Sequence, residues 1–305
     1  MLDTVKPSAF GLYGLPAWLI RLAAPVFAQL LTHLLNLSLE QSVVPSQWKS
    51  SCITPIAKVS QLRSCSDYRP ISVTQIVSRI MEKLLVKSLM YPVITEPECR
   101  HLFADQYAFR PTGSTTSALI SFFHQITNLL QEHDYVHRIS LDFCKAFDSV
   151  RHYSLVSKLA EFVLPDCFYN WVIGYLFSRK HQTKVGNVKS TFRAINASII
   201  QGSGLGPVSY VFTACDLHAL FSSNILLQYA DDTYLMIPAP NSALIQQELD
   251  HVSQWANANN LKLIQTHPNL AKWSFISQRI NILISHLSSQ VAFNAVCQAH
   301  ILISI

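Results

Sequence analysis

The chain has 305 residues, of which 50% are hydrophobic and only 13% are charged, and its net charge is +5. This composition excludes an intrinsically disordered chain, and the length suffices for one large domain or two smaller ones. The mild basic balance is compatible with a polyanionic partner but does not establish one.

Cysteine usage bears on the cellular compartment. The seven cysteines are scattered along the chain, and none forms a CxxC pair. A disulfide framework or a zinc knuckle is therefore not expected, and a reducing compartment is favoured. The sequence predicts an intracellular protein and does not distinguish nucleus from cytoplasm.

The first predicted element is an amphipathic helix within residues 15–39. Arg21 and Pro25 interrupt its apolar run, so a buried helix is favoured over a membrane span. The apolar residues that recur at helical spacing are Leu19, Leu22, Val26, Leu30, Leu34 and Leu37. We expect residues 1–42 to form an N-terminal helical extension.

Loops and helices alternate in the next part of the chain. The pattern predicts a loop that enters a strand or helix at residues 66–74, and an amphipathic helix over 76–90. A loop around Pro111 and Gly113 then leads into a helix capped by Ser114 or Thr115.

The central part mixes strands and helices. An apolar strand is predicted over 136–143, and helices over 153–162 and 167–179. A Gly-Asn turn within 183–200 predicts a hairpin, and the Gly-rich stretch 201–207 predicts a tight loop before a helix.

The last predicted elements are a hairpin over NILLQYADDTYLMI (224–237) and an amphipathic helix over 243–261. Strands and helices follow one another without regular βαβ alternation. An α+β fold is therefore favoured.

Three acidic residues form the strongest chemical signal. Asp231 and Asp232 lie at the tip of the predicted hairpin, and Asp142 ends the strand over 136–143. If these strands are neighbours, the carboxylates converge and would need a divalent cation such as Mg²⁺. Two such ions about 3.5–4 Å apart support phosphoryl transfer. An isolated Asp-Asp pair would instead indicate an ordinary polar turn.

The pair is accompanied by further motifs. In chain order they are YRPISV, DQYAFRPTGSTTSAL, SLDFCKAFDSVRH, QGSGLGPVSY, YADDTYL and WANANNLKL. With the upstream segment VVPSQWKSSCITPIAKV, they resemble the reverse transcriptase domain of non-LTR (LINE-type) retrotransposons over residues 5–263.

The resemblance implies a right-hand polymerase with fingers and palm over residues 43–263. Asp142, Asp231 and Asp232 would be its catalytic, metal-binding carboxylates. Asp142 and Asp231 would hold two Mg²⁺ ions, and Asp232 would be more peripheral. Phe147 would lie under the sugar of the incoming nucleotide and exclude a 2′-hydroxyl.

Further roles follow from the same resemblance. Lys58 and Arg69 would clamp the triphosphate by charge. Gln201 and Gly202 would contact the nascent base pair. Arg110 would serve either the nucleic-acid backbone or the loop structure, and both interpretations stay open.

Other charged residues have roles outside the site or two possible roles. Asp148 is expected to form a helix-cap or salt-bridge contact and is left out of the site. A basic cluster could follow template or primer phosphates or could be a solvated face. Its members are Arg179, Lys180, Lys184, Lys189 and Arg193.

The chain departs from the family pattern after Leu263. The family continues with an asparagine, a lysine and a short β-hairpin, whereas here the chain reads IQTHPNLAKWSF. Codons that are legal for IQTHPNLAKW, read one base earlier, give NPNTSKSREM, which is close to the family pattern. We therefore expect residues 264–305 to be an out-of-frame, poorly ordered tail, and the thumb of this truncated domain to be missing or disrupted.

The expected activity is RNA-directed DNA polymerisation with an RNA template, a DNA primer, deoxynucleoside triphosphates and two Mg²⁺ ions. No membrane partner is expected, and the oligomeric state is not predicted. The alternative is an inactive retrotransposon remnant that at most binds nucleic acid. A maturase of the group II intron type is a third, remoter interpretation.

Overall fold

A computed structural model describes residues 16–200 and 202–264, together with the backbone of residues 274–277. Its α-helices are α1 Ala17–Leu22, α2 Ala24–Glu40, α3 Ile76–Leu85, α4 Tyr91–Thr95, α5 Thr115–Glu132, α6 Ala146–Ser149, α7 His152–Leu159, α8 Asp166–Leu176, α9 Gly206–Thr213 and α10 Ile245–Ala258. Its strands are β1 Ser50–Ala57, β2 Tyr68–Val73, β3 Tyr135–Leu141, β4 Phe143–Cys144, β5 Lys180–Val185, β6 Val188–Lys189, β7 Arg193–Ala194, β8 Ile225–Tyr229, β9 Asp232–Pro238, β10 Lys262–Leu263 and β11 Ser274–Ser277. Among the helices described, none has the length and apolar character that a membrane crossing requires.

The first sheet is built around β1. This strand pairs with β2 in antiparallel and with β5 in parallel orientation, and β6 and β7 pair with β5. Pro55 of β1 lies opposite Pro70 of β2. Proline cannot donate a ladder hydrogen bond, and β1 contacts β5 only over residues 50–53. Pro55 therefore lies where β1 has no second neighbouring strand, and the strand continues to Ala57, directly before Lys58.

The second sheet has the order β11-β3-β9-β8. Both faces of this sheet are covered by hydrophobic side chains, so the sequences of its strands are largely apolar. On one face, Val136 and Met236 pack with Phe122 of α5. On the other face, Ile139 and Leu235 belong to the main core.

The main core joins this sheet to the remaining helices. Its buried side chains include Ile80 on α3, Trp171 on α8, Phe212 on α9 and Val252 on α10. Because strands and helices are mixed without βαβ repeats, the predicted α+β class is confirmed.

Both predicted hairpins are present. β8 and β9 flank the YADD stretch. β5 pairs with β6 across the Gly-Asn turn, where Gly186 has φ +58°. Ser114 caps α5, since its side chain accepts a hydrogen bond from the Ser117 amide.

The N-terminal helix differs from the expectation in its orientation. The predicted helix is present as α1 and α2, but its apolar stripe is exposed, with Leu22 72% and Val26 80% accessible. The residues of α2 that are buried are instead Ala24, Leu35 and Ser38. Helical spacing predicted the helix correctly, whereas it does not say which face meets the core.

Part of the predicted tail can be placed. The backbone of β11 pairs antiparallel with β3, from Ser274 opposite Arg138 to Ser277 opposite Tyr135. The other tail residues after Ile264 lie outside the described residues. The domain boundaries after residues 42 and 263, and the fate of the thumb, stay predictions.

Candidate active site

The YADD stretch forms a two-residue turn. Tyr229 pairs with Asp232, so Ala230 and Asp231 connect β8 to β9. Ala230 has φ +58°, in the left-handed region that residues with a Cβ rarely adopt. The turn therefore depends on contacts outside its own hairpin, which are described below.

The strand register brings the third carboxylate to this turn. Leu141 of β3 pairs with Thr233 of β9. The next residue, Asp142, thus lies level with Asp232 on the adjacent strand. The backbone carbonyl of Asp142 accepts a hydrogen bond from the Ile264 amide (2.8 Å), which fixes the end of β3.

Asp142 and Asp231 line a cavity of about 540 Å³. The predicted site residues among its lining are Lys58, Arg69, Asp142, Phe147, Gly202 and Asp231. Asp232 is exposed and does not line the cavity, and Gln201 lies outside the described residues. The fold thus gathers side chains from both sheets and the Gly-rich loop around one opening.

The acidic residues influence each other electrostatically. Burial raises the pKa of Asp231, and the charges of Asp232 and Asp142 raise it further. The pKa of the buried Tyr210 phenol is also raised, first by burial and then by the same three carboxylates. The carboxylates are therefore close enough to repel, and a cation beside them would offset that repulsion.

The donor set suits magnesium in combination with a phosphate ligand. Within the described residues, no group of three or more His, Cys, Asp or Glu side chains is arranged to enclose a metal ion. Mg²⁺ is, however, commonly bound by one or two carboxylates plus substrate phosphates rather than by a complete protein cage. Asp142 and Asp231 in one cavity fit this mode of binding.

Phe147 forms part of the cavity wall. Its ring stacks on that of Tyr210, with centroids 4.8 Å apart and planes at 25°. Phe109 meets Phe147 edge-on at 6.4 Å. Packing against the rings of Tyr210 and Phe109 restricts the orientation of the Phe147 side chain, so that its ring forms a rigid, flat part of the wall.

The Gly-rich loop is held against two other elements. Gly202 has φ +105°, and a Cβ there would lie 2.6 Å from the Ser72 carbonyl oxygen of β2. The buried Glu82 carboxylate of α3 accepts hydrogen bonds from the amides of Gly204 (2.7 Å) and Leu205 (3.2 Å). Glycine at 202 is therefore required by close backbone approach.

Sequence reasoning missed several residues that shape the site. Glu82 was overlooked because a single acid in a helix looks like a surface residue; its place on the buried face of α3 was the available signal. Lys145 adds a cation to the cavity wall beside Lys58 and Arg69. Asp148, which was left out of the site, also lines the cavity.

The buried side chain of Gln106 contacts the YADD turn directly. Its Oε1 accepts from the Ala230 amide (2.8 Å), and its Nε2 donates to the Ala230 carbonyl (3.2 Å). Arg110 contacts its own loop, as one of its two interpretations expects. Its Nη1 donates to the carbonyls of Gln106 (2.9 Å) and Phe103, and its side chain is half-buried.

The basic cluster needs a correction. Arg179 is fully buried, its guanidinium lies 4.3 Å from the Tyr175 ring centroid, and its Nη1 donates to the Tyr175 carbonyl (3.2 Å). It therefore cannot follow nucleic-acid phosphates. The exposed members of the cluster are Lys180, Lys184, Lys189 and Arg193.

Comparison with known proteins connects this geometry to a family. The model of the family "Reverse transcriptase (RNA-dependent DNA polymerase)" matches residues 56–287. The chain is 32% identical over 256 residues to a probable RNA-directed DNA polymerase from transposon BS of Drosophila melanogaster, with 79% of this chain and 28% of that protein covered. It is 30% identical over 261 residues to the RNA-directed DNA polymerase from mobile element jockey of the same species, again with 28% of that protein covered. The chain thus spans little more than a quarter of the length of these relatives.

Solved structures show the same fold. Telomerase from Candida tropicalis in complex with a telomeric RNA fragment matches with a TM-score of 0.50 at 13% identity, over 76% of this chain and 41% of that chain. The apo telomerase from the same species matches with a TM-score of 0.51 at 12% identity, over 78% and 46%. The expected fingers and palm of a polymerase are therefore confirmed as the fold. On the family match and these relatives, the chain belongs to the reverse transcriptase family, as a LINE-type retrotransposon domain.

Proposed function

We propose that this chain extends a DNA primer on an RNA template by two-metal phosphoryl transfer. The observation that carries the proposal is that Asp142 and Asp231 line the same cavity as the cations Lys58 and Arg69. Carboxylates for metal ions and cations for a triphosphate are the two kinds of group that nucleotidyl transfer requires.

The residues would divide the work as follows. Asp142 and Asp231 would hold two Mg²⁺ ions, with Asp232 at the periphery. When bound, the ions supply activation of the primer 3′-hydroxyl and stabilisation of the leaving pyrophosphate. Lys58 and Arg69 bind the triphosphate by charge.

The remaining residues select and align the substrate. The Phe147 ring packs under the deoxyribose and leaves no room for a 2′-hydroxyl. Gln201 and Gly202 contact the nascent base pair, where the glycine permits close approach of the backbone. The exposed cations of β5, β6 and β7 contact template or primer phosphates.

A primer-extension assay on the purified chain tests the proposal. The reaction contains an RNA template, a DNA primer, deoxynucleoside triphosphates and MgCl₂. We expect the double variant Asp231→Ala/Asp232→Ala to lose about 1,000-fold or more in rate, equivalent to about 4 kcal/mol. Asp250→Ala, which removes an exposed carboxylate from α10, is the matched control and should extend normally.

Each outcome decides between the alternatives. Extension by wild type and Asp250→Ala, but not by the double variant, supports the enzyme. Absence of extension in all three supports a remnant that at most binds nucleic acid. Undiminished extension by the double variant would overturn the carboxylate assignment. Replacing the RNA template by DNA tests the template preference in the same assay.

A further inference from the structure

We propose that Gln106 is a positioning residue that holds the Ala230–Asp231 turn in its active conformation. This inference rests on the proposed function of Asp231 as a metal-binding carboxylate. It adds a residue, distant in sequence, through which the orientation of that carboxylate is set.

The first argument is the completeness of the contacts that the Gln106 amide makes. Oε1 accepts hydrogen bonds from the amides of Ala230 (2.8 Å) and Ala108 (2.9 Å). Nε2 donates to the Ala230 carbonyl (3.2 Å) and to Gln228 Oε1 (3.2 Å). A side-chain amide has two donors and two acceptor lone pairs, and here all are used. No other neutral side chain of similar length offers this set.

The second argument concerns the target of these contacts. Both backbone polar groups of Ala230 are bound by one side chain, and Ala230 is the residue with the left-handed φ of +58°. Such a conformation costs of order 1–3 kcal/mol for a residue with a Cβ and persists only when its surroundings fix it. Gln106 supplies that fixation directly before Asp231.

The third argument is that Gln106 is itself anchored. Only 2% of it is exposed. On either side, the Asp105 carbonyl accepts from the Gln228 amide (2.7 Å), and the Tyr107 amide donates to the Gln228 carbonyl (2.9 Å). Residues 105–107 therefore form a short parallel bridge to β8, and the amide is presented to the turn from a fixed backbone.

The consequence for the reaction is geometric. A displacement of about 1 Å in a catalytic group can cost about 100-fold in rate. Removing the Gln106 amide would free the Ala230 peptide groups and let the Asp231 carboxylate move. Lys58 and Arg69, which lie on the other sheet, would keep their positions.

The test compares Gln106→Met with a matched control. Methionine has the length of glutamine and no strong hydrogen-bonding group. Asn224→Leu is the control, because Asn224 is also a buried amide, bonded to Glu248 (2.8 Å), and lies just before β8 at the end of the hairpin remote from the turn. Urea unfolding of both variants gives their loss of stability, against which the other measurements are compared.

Three readouts separate positioning from simple destabilisation. Amide hydrogen exchange in peptides covering residues 226–236 is expected to accelerate in Gln106→Met and not in Asn224→Leu. Mn²⁺ affinity, measured by the paramagnetic resonance of the free ion, is expected to fall about 10-fold in Gln106→Met alone. In primer extension, kcat should fall about 100-fold while KM for the deoxynucleotide changes less than about threefold.

The proposal is overturned if exchange over residues 226–236 matches that of the control, or if Mn²⁺ affinity and kcat follow stability alone. A wild type that extends no primer would refute the proposed function, whereas the exchange experiment would still decide the role of Gln106. Should Gln106→Met not fold, Gln106→Asn serves instead. It keeps the amide but is one methylene too short to reach Ala230, so the same exchange result is expected.

Discussion

A single aromatic side chain defines one wall of the cavity. Phe147 follows Asp142 by five positions, and the one-turn helix α6 directs it into the cavity. There it is stacked on Tyr210, whose own ring is buried. Because the support comes from α9, the position of the Phe147 ring depends on a residue more than sixty positions away.

Replacing Phe147 by valine should relax sugar discrimination. The smaller side chain leaves space for a 2′-hydroxyl, so the preference for deoxyribonucleotides over ribonucleotides should fall about 10-fold or more. The measurement is kcat/KM for each nucleotide in primer extension. Phe123→Val on α5, outside the cavity, is the control. A preference unchanged in Phe147→Val would contradict the role proposed for this ring.

At the scale of elements, α3 holds the Gly-rich loop through one carboxylate. Glu82 is fully buried and accepts from Ser78 Oγ (2.8 Å) as well as from the two loop amides. Those amides lie directly before α9, whose N-terminal end also favours a negative charge through the helix dipole. Glu82 therefore connects the packing of α3 to the shape of the cavity.

Replacing Glu82 by glutamine should weaken the contact between α3 and the Gly-rich loop and lower the stability of the protein. The variant keeps the size of the side chain but loses its charge. Its NH₂ group must either face the two loop amides, which donate, or face the Ser78 hydroxyl, which would then have to accept instead of donate. We expect the free energy of unfolding to fall by about 1–3 kcal/mol, measured by urea unfolding. Lys87→Gln, an exposed change near the same helix, should be close to neutral. Equal stability of the two variants would argue against this role.

The β5–β6 hairpin presents cations rather than burying them. Lys184 and Lys189 are register partners, and both are exposed. Two like charges placed directly opposite destabilise a strand pair slightly. Phosphates of the proposed template or primer would offset this repulsion.

The double variant Lys184→Ala/Lys189→Ala should bind an RNA–DNA hybrid more weakly. The slope of log affinity against log salt should become shallower by roughly one unit for each phosphate that the variant no longer neutralises. Fluorescence anisotropy over a range of salt concentrations measures both quantities. Lys87→Ala, which removes one exposed cation outside the hairpin, serves as the control. Unaltered affinity and slope would indicate an ordinary solvated face.

At the scale of the whole molecule, the cavity lies where the two sheets meet. The first sheet contributes Lys58 and Arg69 from the ends of β1 and β2, and the second contributes Asp142 and Asp231 from β3 and the β8–β9 turn. The main core, to which α3, α8, α9 and α10 contribute buried side chains, packs against the second sheet through Ile139 and Leu235. The shape of the cavity thus depends on the integrity of the core.

The reading frame after Leu263 is a prediction about the whole chain. We expect the gene codons for residues 264–273, read one base earlier after a preceding A, to encode NPNTSKSREM. Sequencing the gene and its transcript measures this directly. Codons that do not give that reading in a neighbouring frame would make the frameshift hypothesis wrong.

The sequence alone determined the elements and the chemistry that depend on local patterns. Ser114 could be recognised as a helix cap, and the Gly-Asn and YADD turns as hairpins, because caps and tight turns are set by neighbouring residues. The order of the motifs identified the family. The motifs also contained six residues that line the cavity, namely Lys58, Arg69, Asp142, Phe147, Gly202 and Asp231.

Only the tertiary structure decided which side chains are buried and what they touch. Arg179 was indistinguishable from its exposed neighbours until packing placed it over Tyr175, and the apolar stripe of α2 faces outward despite its helical spacing. Gln106 and Ala230 are separated by 124 positions, and no local pattern records such a contact. Periodicity and spacing describe the chain over a few residues, whereas burial and long-range hydrogen bonds exist only once distant segments have packed together.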